Sequence, residues 1–177
     1  MLGGFALMAA AQCVFVTFGS WLKDTFGFAA AQLSAVAFVL GGAELVASIT
    51  AARHTDQWGK ERSTAAGAML MIPSMLLLAM WHAHFGVGLA LLAIAIVGFE
   101  FAIVSALSLG AQLIPSAPAR GLGMMIGAGT AGRAVMSISA TRLYTAHGLA
   151  APMVLGAGAA TVAVAAFWPR QRGPQPR

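Results

Sequence analysis

Apolar residues run along this chain in long blocks, without the alternation of a strand or the one-sided stripe of a soluble helix. A transmembrane helix needs about 20 mainly apolar residues to cross some 30 Å of hydrocarbon. Six stretches meet that requirement: 2–22, 33–52, 64–83, 86–113, 121–143 and 149–168. They use most of the 177 residues. The pattern therefore predicts an all-α membrane protein with six transmembrane helices, a bundle over 1–168 and a short disordered cytoplasmic tail over 169–177. The first block is read as a span. It lacks the basic leader of a signal peptide, and its uncharged run is longer than the usual apolar region of about 7–15 residues.

Composition closes off the other classes. Apolar residues make up 59% of the chain and charged residues only 8%, against about 25% charged in soluble domains. So few charges cannot cover a soluble surface, and the hydrophobicity is far too high for disorder. One cysteine, Cys13, excludes an internal disulfide, a zinc cluster and a haem-attachment pair. The net charge of +5 invites a nucleic-acid reading, but that requires a basic stripe on one face. The cations here cluster at the ends of apolar runs, as membrane anchors do, so no nucleic-acid partner is expected.

The same cations set the orientation. Six spans put both termini on one side, with the second-to-third and fourth-to-fifth connections. That side holds Arg53, Lys60, Arg62, Arg120, Arg170, Arg172 and Arg177, while the other holds Lys23 and Arg142. The positive-inside rule then places both termini in the cytoplasm of a multi-pass cell-membrane protein, in a bacterium the inner membrane.

Three charges fall well inside the spans: Glu44, Glu100 and Arg133. At 1.5 Å of rise per residue they lie about 16, 21 and 18 Å into their helices. Near the midplane a charge costs at least about 2.5–3.5 kcal/mol on insertion scales, and such residues mark pathways. They occupy the second, fourth and fifth spans, which should line an internal cavity, leaving the third and sixth free to face lipid. Glu100 and Arg133 share a depth and are expected to meet or to face one cavity. A purely structural ion pair is the plain alternative. Glu44 has no opposite charge at its depth, so it is expected to carry a proton, as coupling residues do.

Other apparent motifs carry less. Gly127, Gly129 and Gly132 satisfy G-x-G-x-x-G, but that fingerprint needs a strand before it and an exposed helix N-terminus. Small-residue pairs such as Gly123 with Gly127 suit close helix packing instead. Gly41 and Gly42 precede Glu44, where they could loosen the helix. His82 and His84 sit at a tight outer turn with no carboxylate or thiol beside them in sequence, so no metal site is assigned. Trp21, Trp58, Trp81 and Trp168 fall at span ends, as an aromatic belt would. No nucleophile-base order, carboxylate pair or phosphate loop appears, and neither an enzyme nor a cofactor is expected.

The second-to-third connection is the most specific element: Ala52-Arg53-His54-Thr55-Asp56-Gln57-Trp58-Gly59-Lys60-Glu61-Arg62. It resembles the cytoplasmic loop motif of the major facilitator superfamily, Gly-x-x-x-Asp-Arg/Lys-x-Gly-Arg/Lys-Arg/Lys. Asp56, Gly59 and Lys60 match in register, and Arg62 supplies a cation one place late. Ala52 stands for the leading glycine, and Gln57 and Glu61 replace expected cations. Gly98 to Ser105, the Pro115/Pro118 connection and Ala119-Arg120-Gly121 resemble the fourth-to-fifth helix region of drug and sugar efflux members.

The resemblance implies one six-helix half of a twelve-helix fold, closer to the C-terminal half. It further implies a proton-coupled efflux permease working by alternating access. Glu44, Glu100 and Arg133 would bind substrate or protons, and Asp56, Gly59, Lys60 and Arg62 would serve the cytoplasmic gate. The partners implied are the bilayer, a small-molecule substrate, protons and a second half, either another copy or a separate chain. Two other readings stand beside it: an inactive, truncated transporter remnant, and a six-helix membrane-assembly protein.

Overall fold

The computed structural model describes residues 1–168, which form six helices: α1 (Leu2–Phe26), α2 (Ala30–Trp58), α3 (Lys60–Trp81), α4 (Phe85–Gln112), α5 (Pro118–His147) and α6 (Ala150–Phe167). The predicted tail, with Arg170, Arg172 and Arg177, lies outside the described residues. Five of the helices are long and apolar enough to cross a membrane. The exception is α5, the predicted fifth span. At 30 residues its length suffices, but glycine, serine, threonine and three arginines (Arg120, Arg133 and Arg142) dilute its apolar content.

Glycines end the helices where a left-handed residue is needed. Gly27 follows α1 at φ 69°. Its N–H donates to the Lys23 carbonyl and that of Phe28 to the Leu22 carbonyl, which satisfies the last carbonyls of the helix. Gly59 at φ 89° is the whole connection between α2 and α3. The segment expected to be a loop between the second and third spans is thus helical except at that residue. Nothing between Ala52 and Trp58 breaks a helix, so α2 continues past its apolar part until Gly59 turns it. Gly41 and Gly42 do not interrupt α2.

The helices alternate in direction. Met1, Glu61, Gln112 and Trp168 line one cavity at one end, and Asp24, His82, Tyr144 and Leu149 line another at the opposite end. Both ends of the described chain therefore share a side with the α2–α3 turn. In section, α2, α4, α1 and α5 form a row, each packed on the next, and α3 and α6 pack on each other behind α4 and α1. This pattern is unchanged when every helix is exchanged for the one three places along the chain. Because α1 and α4 run in opposite directions, the two three-helix units repeat with inverted topology.

The core lies between the two layers, with Leu7, Trp21, Leu22, Met71, Met75, Leu78, Leu92, Ile96 and Met153 fully buried. Helix α3 is half buried over its apolar window while α2 is only 22% buried. Interior charge is therefore a poor guide to which helix is covered. Both α3 and α6 keep exposed apolar side chains, among them Leu76, Leu77, Met80, Val154 and Val162, but α2 and α5 are the most open helices. Trp21 also departs from the belt reading. It is 1% exposed, donates Nε1–H to the His82 carbonyl at 3.1 Å, and fills the space left by Gly88, where a Cβ would meet its ring at 2.8 Å. Trp58, Trp81 and Trp168 are exposed.

Candidate functional site

The three interior charges sit near the middle of their helices. By residue count, Glu44, Glu100 and Arg133 all lie within about 3 Å of a common level along the helix axes. On α2, Glu44 and Ser48 are one turn apart, hence on one face. They are turned away from Gly42, Val46 and Thr50, which line an apolar groove against α3 and α4. Ser48 donates a hydrogen bond to Glu100 Oε1 on α4. Glu44 feels the charge of Glu100, and among the described residues no hydrogen bond or ion pair holds it. Two acids thus share the α2–α4 end of the row.

Arg133 stands at the other end. Its Nε–H donates to Gln12 Oε1 on α1 at 2.9 Å, and Gln12 Nε2 donates to Ser137 Oγ at the same distance. Ser137 in turn donates to the Arg133 carbonyl. The guanidinium is fixed by an amide. Of the two arrangements expected for Glu100 and Arg133, meeting or facing one cavity, direct contact is absent among the described residues, where each is held by a different neighbour. The reason is the order of the row, in which α4 turns its acid toward α2 while α5 turns its cation toward α1. Arg133 remains exposed, so its charge faces outward from the bundle.

Gln12, Ser48 and Ser137 were not singled out from the sequence. Gln12 carried the signal that could have found it, an amide near the middle of an otherwise uncharged span. The serines carried none, because a helical serine usually bonds back to its own helix, as Ser34 and Ser74 do. Lower in the same α2–α4 seam, Thr55 and Ser105 are buried and hydrogen-bonded at 2.8 Å.

The charged turn forms a second group. Asp56 Oδ1 lies 3.3 Å from Lys60 Nζ across Gly59, so the Asp-x-x-Gly-Lys spacing brings an anion and a cation together around a one-residue turn. Gly59 and Arg62 line a cavity of about 580 Å³ with Leu109 and Gln112 of α4, which seats the turn against the end of that helix. The ring of Trp58 packs at a tilt against Phe101 of α4 with ring centres 5.9 Å apart. At the opposite end, a polar cavity of about 620 Å³ contains Asp24, Tyr144 and the hydroxyls of Thr17, Ser20 and Thr141. Tyr144 Oη donates to Asp24 Oδ2 at 2.8 Å, tying α5 to α1.

No protein-family model, curated protein or solved structure matches the chain. What the fold defines is an all-helical, membrane-embedded protein.

Proposed function

We propose that this chain is one six-helix half of a secondary transporter of the major facilitator type, exporting a small molecule in exchange for protons by alternating access. The reading rests on one observation above all. Ionisable groups on three of the four helices in the row stand at one level in the membrane, and among the described residues no ion pair neutralises them. Charges at that depth need water, substrate or protein opposite them, and a second half supplies the missing wall. The inverted three-helix repeat supports the same reading, since transporters that rock around a midplane site are commonly built from such repeats. Glu44 and Glu100 take up and release protons, Arg133 with Gln12 anchors or balances the cargo, and the Asp56–Lys60 turn belongs to the cytoplasmic gate.

The test needs no knowledge of the substrate. Single cysteines replacing Gly41 on α2 or Thr130 on α5, both exposed, are labelled in vesicles with a membrane-impermeant maleimide. Access from both sides, in proportions that change with an imposed pH gradient, is the expected result. Labelling from neither side would mean that these faces meet only lipid, and the reading would fail.

A further inference from the structure

The second half required above has its own signature in the way charge is distributed along the row. Resting on that reading, we infer that the partner is a second copy of this chain, inserted in the same orientation and related by a two-fold axis along the membrane normal.

The row α2–α4–α1–α5 carries its acids at one end, Glu44 and Glu100, and its cation at the other, Arg133 on Gln12. All four side chains stand within about 3 Å of one level. Two copies can bring these faces together about either of two kinds of two-fold axis. An axis along the membrane normal reverses the order of the row, so α2 faces the partner's α5 and α4 faces the partner's α1. The acids of each copy then meet the arginine of the other, and an isologous interface satisfies both contacts at once. An axis in the membrane plane along the row keeps the order and inverts one copy. Acids then meet acids and arginine meets arginine, in a medium where unpaired charge is most costly. The charge pattern selects the first arrangement.

The surfaces permit the approach. Ala37 and Gly41 on α2, and Gly127, Thr130 and Ala134 on α5, are exposed, and a Cβ at Gly41 or Gly127 would meet nothing within 4 Å. Small residues beside the charges let two helices come close enough for side chains of this length to pair. Each contact then holds two carboxyls against one guanidinium. That leaves one acid free to exchange a proton while the other stays paired.

The experiment uses the full chain in liposomes at low protein density. One tagged copy carries Gly41→Cys and a differently tagged copy carries Ala134→Cys. Cys13 is fully buried and does not compete for the oxidant. Oxidation is expected to link the two tags to each other and neither variant to itself. A second arm reads the dimer fraction by single-molecule photobleaching. Arg133→Glu alone and Glu44→Arg alone should each lose dimer at least tenfold, while the two variants mixed should dimerise with one another. That restoration shows that both still fold. Self-linking of Gly41→Cys would mean an inverted pair and overturn the inference, as would a monomer at every density. A monomer whose midplane cysteines still respond to a pH gradient would overturn only the second copy. A dimer whose midplane is closed to water from both sides would overturn the transport reading and leave the pairing intact.

Discussion

Gly67 of α3 and Gly98 of α4 lie back to back. A Cβ on Gly67 would meet the Gly98 carbonyl oxygen at 2.5 Å, and a Cβ on Gly98 would meet the Gly67 oxygen at 2.8 Å. The obstacle at both is main chain, which cannot rotate away as a side chain can. These two residues therefore set the distance between the front row and the back layer.

Gly67→Ala should destabilise the protein by about 1–3 kcal/mol, the usual cost of overpacking, and lower the midpoint of thermal unfolding in detergent. Gly123→Ala is the control. Its Cβ points into open space, and relief of the glycine's backbone entropy should leave it neutral or more stable by up to about 1 kcal/mol. Equal losses in the two variants would mean that the α3–α4 approach is looser than described.

That contrast shows what the sequence could and could not reveal. The small-residue spacing in the fifth span pointed to Gly123 and Gly127, yet both face open space. The close approaches on that helix are made by Gly121, Gly129 and Gly132, and others by Gly67 and Gly98 on helices where no such pairing was read. Spacing fixes which residues share a face; it does not say which face meets protein. The six helices and the Gly59 turn were legible because length, hydropathy and glycine chemistry act locally. The polar face was half legible. Burying a charge is costly enough to make Glu44, Glu100 and Arg133 conspicuous, but their partners depend on the order α2–α4–α1–α5, which no local signal encodes. Matched depth left two arrangements open for Glu100 and Arg133, direct contact or a shared cavity, and depth alone leaves azimuth undetermined.

The hydrogen bond from Arg133 to Gln12 gives a second measurable quantity. Gln12→Leu removes both the acceptor for the guanidinium and the donor to Ser137. A bond to a charged group is worth about 1.5–3 kcal/mol, and bonds within membranes tend to be weaker, so a loss of about 1–2 kcal/mol is expected. A double-mutant cycle with Arg133→Gln should show a coupling of the same order. Additive losses would show that the contact contributes nothing.

Orientation can be read directly. Cysteines replacing Lys60 and His84 sit at opposite ends of the bundle, since α3 separates them. In cells, an impermeant reagent added outside should label the variant at His84 and spare the one at Lys60. The reverse pattern would invert the chain in the membrane, and equal labelling at both would break the helix order.

Glu44 carries the most consequential expectation. It is only partly covered, among the described residues no hydrogen bond or ion pair holds it, and it feels the charge of another acid, Glu100 on α4. Two carboxyls near one another in a poorly hydrated setting resist carrying two negative charges together. On the proposed reading, Glu44 is the group that exchanges the proton. Glu44→Gln preserves the shape and the neutral form but removes the exchange. It should leave the free energy of unfolding within about 0.5 kcal/mol of the parent, as for substitutions away from tight packing. It should also abolish the pH-gradient dependence of maleimide labelling at Thr130. Glu100→Gln differs in kind, because it changes the acceptor for Ser48 and should loosen the α2–α4 seam as well. An unchanged pH response in Glu44→Gln, with the response lost in Glu100→Gln, would move the coupling role to α4. An unchanged response in both would mean that neither carboxyl titrates as the bundle moves.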